Sequence, residues 1–257
     1  MATEDRIAAQ DLRTASLEDI PGLLLSCTPE DLRLLIDNPA FDETHVCLLL
    51  ERKDLPGPLV EEISKRKTWK SVYRVRRALA AHQHTPRLIA VRALRDLHLM
   101  DLVRIGLLPT SRGELRRLAE ERVLAQLPQL PLGQRLMLAR RGSARIAAGL
   151  ILQGPENAAR IALDNPFLNE AQLLKALSKQ TLTARTVASV AKHEKWSKIV
   201  NVRIVLLRHA HVPAECAAAL ALDLPRRDAE DLLGLTHLAA GVRDVLQQEL
   251  AARDCQE

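Results

Sequence analysis

The sequence predicts an all-α protein, and three observations carry that prediction. Hydrophobic residues make up 47% of the 257 residues while aromatic residues make up only 2%. Leu and Ala dominate, a composition that favours helices and deprives a sheet of the β-branched and aromatic side chains it packs with. Apolar residues recur at helical spacing in segments of about 9–14 residues, each closed by a short break. Finally, the chain matches itself at an offset of 127 residues, which marks a repeat architecture. The same composition excludes other classes. The apolar content is too high for disorder, and 10 Gly and 13 Pro are too few for a fibre. The longest apolar run, AAGLIL at 147–152, is far short of the ~18 residues of a membrane span.

Each element has its own signal. Thr28-Pro29-Glu30 reads as an N-cap and first turn, with Glu30 and Asp31 at the positive end of the helix dipole. Helical patterns follow over 43–53 and 57–66, separated by Pro56-Gly57-Pro58. Residues 72–82 place Val72, Val75 and Leu79 on one core-facing stripe. Thr85-Pro86 opens a helix that runs to Leu97, and segments 99–108 and 113–126 complete the first half. The second half repeats the scheme, with Ile199, Val202 and Leu206 on the matching stripe.

The self-match is specific. Asp37-Asn38-Pro39 falls on Asp164-Asn165-Pro166, Trp69 on Trp196, His82 and His84 on His209 and His211, and Pro86 on Pro213. Residues 16–86 and 143–213 share 20 identities in 71 positions without a gap. Leucine-rich helices would share leucines by chance, but not a Trp, two His and an Asn-Pro pair. Two copies of 127 residues fill the chain, with a junction near Leu130-Pro131. The expected architecture is an α-solenoid of about 16–18 short helices in two tandem, continuous copies, 1–130 and 131–257.

The phrases LLIDNPAFDETHVCLLL, LAAHQHTPRLIAVRAL and IALDNPFLNEAQLLKAL share a helix end, an Asn/His-x-Pro break and a new helix. In this pattern, over almost its whole length, the chain resembles the HEAT and armadillo-like superfamily, particularly its leucine-rich-variant repeats. The resemblance implies a right-handed superhelix that serves as a binding surface. The HEAT-like superfamily also includes DNA glycosylases, which bind duplex DNA along a basic concave surface.

Charge is unevenly placed. The net charge is +5, yet residues 1–54 carry −7, residues 55–210 carry +17 and residues 211–257 carry −5. A basic middle between acidic ends predicts an anionic partner, or self-association of ends with middle. Segment 65–77 holds Lys65, Arg66, Lys67, Lys70, Arg74, Arg76 and Arg77 with no acid. Lys70, Arg74 and Arg77 stand at i, i+4 and i+7, one stripe on a continuous helix. Their counterparts Ser197, Asn201 and Ile204 are uncharged, so the stripe belongs to the first copy alone. Further cations lie at Arg140, Arg141 and Arg145 and at Lys192, Lys195 and Lys198, with Arg203 and Arg208 beyond.

Other constellations read as structural. Trp69 and Trp196 sit among lysines and could serve as stacking platforms, but their duplication points to a plug between helices. His82-x-His84 and His209-x-His211 are placed as turn residues at helix ends rather than as metal ligands. Cys27, Cys47, Cys216 and Cys255 lack metal or disulfide spacing, and Cys47, facing Leu174 in the second copy, reads as a small core hydrophobe. No nucleophile-elbow, phosphate-loop, dinucleotide or zinc-protease motif is present. The polar, acidic start has no signal-peptide pattern, so the expected compartment is the cytoplasm. The functional expectation is a non-enzymatic scaffold, without cofactor or metal, that binds an acidic protein segment through its basic surface. The alternative is backbone binding of double-stranded nucleic acid by the same surface.

Overall fold

A computed structural model describes residues 9–109, 112–179 and 181–254. Among the described residues there are α-helices and two short 3-10 turns, and no strand. No helix among them is long and apolar enough to cross a membrane. The chain divides into two compact units, Met1–Arg122 and Val123–Glu257.

The first unit contains α1 (Ala9–Thr14), α2 (Ile20–Ser26), α3 (Asp31–Ile36), α4 (Glu43–Leu49) and α5 (Gly57–Lys65). It continues with α6 (Lys67–Lys70), α7 (Tyr73–Ala81), α8 (Arg87–Arg95) and α9 (Leu99–Leu107), and α10 (Gly113–Gln126) runs across the division between the units. The second unit follows with α11 (Leu132–Arg141), α12 (Ala144–Gln153), α13 (Glu156–Leu163), α14 (Glu170–Leu177) and α15 (Ala184–Ala191). It ends with α16 (Val200–Leu207), α17 (Ala214–Leu222), α18 (Arg226–Leu233) and α19 (Ala240–Asp254). The one-turn α6, Lys-Thr-Trp-Lys, is too short to show a periodicity in the sequence.

Local chemistry sets the helix boundaries. Asp42 caps α4 by accepting from the Thr44 and His45 amides, while His45 Nδ1 accepts from the Asp42 amide. Asn169 caps α14 by accepting from the Gln172 amide. Prolines 86, 155 and 213 each precede a helix in extended conformation, and each carbonyl accepts from the amides of the third and fourth helical residues. At Gly142 the turn from α11 to α12 leaves no room for a side chain, because a Cβ would lie 2.5 Å from the Leu138 carbonyl oxygen.

The helices pack on neighbours and on next-but-one neighbours. In the first unit α1 lies on α3, α2 on α4, and α7 on α4, α8 and α9. In the second unit α11 packs on α12 and α13, α12 on α14, α13 on α15, α14 on α16, and α15 on α17. The buried stripes are the amphipathic faces read from sequence, with Val75 and Leu79 in α7 and Val202 and Leu206 in α16.

Side chains tie each turn to the one before it. Asn38 Nδ2 donates to the Leu12 and Ala15 carbonyls, and its Oδ1 accepts from the Ala40 amide. Asn165 Nδ2 donates to the Ala139 and Gly142 carbonyls, and its Oδ1 accepts from the Phe167 amide. His82 Nε2 bonds the Arg52 carbonyl and His84 Nδ1 the Leu55 carbonyl. His209 and His211 make the same bonds to the Lys179 and Leu182 carbonyls. Trp69 and Trp196 are buried, and Trp196 Nε1 donates to the Leu163 carbonyl at 2.8 Å.

Candidate functional site

The structure separates the expected stripe of Lys70, Arg74 and Arg77. Val72 adopts an extended conformation as N-cap of α7, so Lys70 ends α6 and the helical spacing is broken between them. Lys70 lies beside Lys65 in a depression between α5, α7 and α8, whereas Arg74 and Arg77 face a different groove. Arg66 is committed to the fold. Its guanidinium donates to the Ile36 carbonyl, pairs with Asp37 and Glu62, and lies 5.2 Å over Trp69. Lys65 pairs with Glu61 at 2.7 Å, and Lys67 is exposed.

The second group of predicted residues lies in the second unit. Arg140 and Arg141 are exposed in the last turn of α11, where the helix dipole favours cations, and Arg145 is half-buried in the first turn of α12. Lys192, Lys195 and Lys198 line a depression of about 920 Å³ with Arg160, Asp164 and Glu194. Lys192 pairs with Glu215, Lys198 with Glu194, and Lys195 lies 4.2 Å over the Trp196 ring. Arg203, read from sequence as part of the basic surface, is instead buried. It donates to the Ser197 carbonyl and pairs with Asp223 at 3.1 Å. Its first-copy counterpart Arg76 pairs with Asp96 at 3.2 Å.

The groove that Arg74 and Arg77 face runs between α4, α7 and α9 and has a volume of about 620 Å³. Its lining carries five cationic side chains, Arg52, Lys53, Arg74, Arg77 and Arg104, against two carboxylates, Glu51 and Asp101. Leu50, Ala78, Ala81, Ile105, Leu107 and Leu108 supply the apolar part of the lining.

The five cations differ in what holds them. Arg52 is structural, pairing with Asp54 at 2.6 Å and donating to the Leu24 and Cys27 carbonyls. Arg77 is steered by Asp101 at 3.8 Å. Asp101 accepts from the Tyr73 hydroxyl, which in turn accepts from the His98 amide while the two rings stack at 4.3 Å. Burial and this bond to Asp101 push the Tyr73 hydroxyl pKa up, which keeps it a donor. Arg74, Arg104 and Lys53 make no ion pair or side-chain hydrogen bond among the described residues, and all three are exposed. Arg74 also stands in the first turn of α7, which has no side-chain cap and no acid. A cation at that end opposes the helix dipole by about 0.3–1 kcal/mol, so the helix itself does not ask for it.

Cys47 packs against the hydrophobic core as expected, but it is only half-buried and also lines the wall of this groove, where α4 meets α7. Burial pushes its thiol pKa up, while Arg77 and Arg74 pull it back. Cys255 lies outside the described residues.

The corresponding positions in the second unit form a smaller depression of about 420 Å³ lined by Leu177, Val205, Arg208, Leu235 and Leu238 among others. Asn201 stands in place of Arg74 and donates to Glu170 at 2.8 Å. Ile204 replaces Arg77 and Asp231 replaces Arg104. Arg104 and Lys53 were not singled out from sequence. The signal that marks Arg104 is its opposite charge to Asp231, visible only by comparing the two halves position by position.

Comparison with known proteins adds no relative, since no family model, curated protein or solved structure matches the chain.

Proposed function

We propose that the protein is a non-enzymatic helical-repeat scaffold that holds an acidic protein segment on a basic surface. In this reading the chain is a HEAT- or armadillo-like α-solenoid of two tandem copies, 1–130 and 131–257, working in the cytoplasm. Support for the architecture comes from packing on next-but-one neighbours. Further support comes from the Asn38 and Asn165 bonds and the paired His bonds, which recur at positions 127 apart. Support for a reduced compartment comes from Cys27, Cys47 and Cys216, which are free thiols among the described residues.

One observation carries the functional reading. Among the described residues the side chains of Arg74, Arg104 and Lys53 make no ion pair or hydrogen bond, yet they border a groove with apolar walls. Exposed cations without structural partners beside buried apolar surface suit an anionic polypeptide.

The test is fluorescence anisotropy with a labelled glutamate-rich peptide and, separately, a labelled DNA duplex, each at two salt concentrations about four-fold apart. The peptide binds, weakens as salt rises, and weakens again when Arg74 and Arg77 are changed to Glu. Duplex binding that disappears on charge reversal of Lys70, Arg74 and Arg77 would replace this reading with nucleic-acid backbone binding.

A further inference from the structure

We infer, resting on that reading, that the docking site is the groove between α4, α7 and α9, and that its occupant is an acidic segment with aliphatic side chains interleaved among its carboxylates. Charge complementarity selects the sign of the partner. Arg74 and Arg104 are exposed and make no ion pair or side-chain hydrogen bond among the described residues, and Arg77 is oriented by the chain of bonds through Asp101, Tyr73 and the His98 amide. A guanidinium held in this way, with a free one on the same helix and another on the facing helix α9, offers forked donors that match carboxylates.

The apolar walls select the class. Ala78, Ala81, Leu107 and Leu108, all part-exposed, give aliphatic side chains a surface from which to exclude water, at about 25 cal/mol for each Å² buried. A sugar-phosphate backbone carries no apolar face to lay there, so a duplex would leave this surface uncompensated. The volume, about 620 Å³, is that of a ligand pocket and admits a few side chains rather than a whole domain. Among the described residues the second unit does not repeat the combination, because Asn201 and Ile204 stand where Arg74 and Arg77 do, and Asn201 is engaged by Glu170.

The experiment pans a random dodecapeptide library against the full chain and measures the selected peptides by anisotropy on the wild type, on Arg74→Glu/Arg104→Glu and on Lys195→Glu/Lys198→Glu. The selected peptides carry Asp or Glu together with Leu, Ile or Val. Their affinity falls at least ten-fold on the groove variant and less than two-fold on the other. Circular dichroism confirms that the groove variant is folded, and single Arg104→Gln provides a milder replacement. Acidic peptides whose binding survives the groove variant and is lost on the lysine variant overturn the groove assignment and leave the scaffold reading standing. Acidic peptides that bind as tightly when their aliphatic residues are changed to Ser overturn the apolar half of the inference. A selection without acidic residues overturns both this inference and the proposed function.

Discussion

His82 and His209 show how one side chain couples the fold to pH. Each is buried, and each Nδ1 accepts from the amide two residues ahead, at His84 and His211. Nε2 therefore carries the proton and donates to the Arg52 or Lys179 carbonyl. Burial holds both pKa values below the usual 6.5, opposed by these carbonyl bonds and reinforced by the adjacent His84 and His211. The unfolded chain thus takes up protons first as the medium is acidified. The stability is complete above pH ~6.5 and is lost as pH falls through the lowered folded values. Urea midpoints measured at pH 7.5 and 5.5 check this, and the drop is smaller for His82→Gln/His209→Gln than for the wild type. Asn165 fastens a turn without titrating. Asn165→Ala strands the Ala139 and Gly142 carbonyls in the interior and lowers stability by about 2–3 kcal/mol in a urea titration.

At the scale of the element, α7 and the turn before α12 decide the most. α7 places Val75 and Leu79 in the core and Arg74 and Arg77 in the groove, so its two faces separate stability from binding. The Val75–Leu79 stripe was legible in the sequence because burial imposes helical periodicity. The continuous cationic stripe from Lys70 was not, because a single extended residue at Val72 resets the phase and leaves no compositional trace. Arg203 was misread for a related reason. A buried arginine and an exposed one have the same letter, and only the Ser197 carbonyl and Asp223 identify this one as internal. In the turn before α12, Gly142→Ala places a Cβ against the Leu138 carbonyl and Ile146. That shift costs about 1–3 kcal/mol, read as a lower melting temperature.

At the scale of the whole molecule, the match of the sequence with itself made conspicuous the residues that fasten turns to one another. Asn38 and Asn165, His82 and His209, and Trp196 are conspicuous letters with conspicuous bonds. The candidate site was half legible. Arg74 and Arg77 stood out in a run of cations, whereas Arg104, Lys53 and Cys47 reach the same groove from α9 and α4 and its following turn. Only the packing of α7 on α4 and α9 brings them together.

The central claim is that the free arginines of this groove serve a partner and not the fold. Thermal denaturation of the wild type and of Arg74→Glu, each with and without a saturating acidic, leucine-containing peptide, tests it most directly. Without peptide the variant melts at the same temperature as the wild type or higher, because Glu in the first turn of α7 suits the helix dipole by about 0.3–1 kcal/mol. With peptide only the wild type shifts upward, by about 2.7 kcal/mol of added stability at a hundred-fold excess over Kd. A variant that melts lower on its own and shifts upward with peptide as far as the wild type would contradict the account.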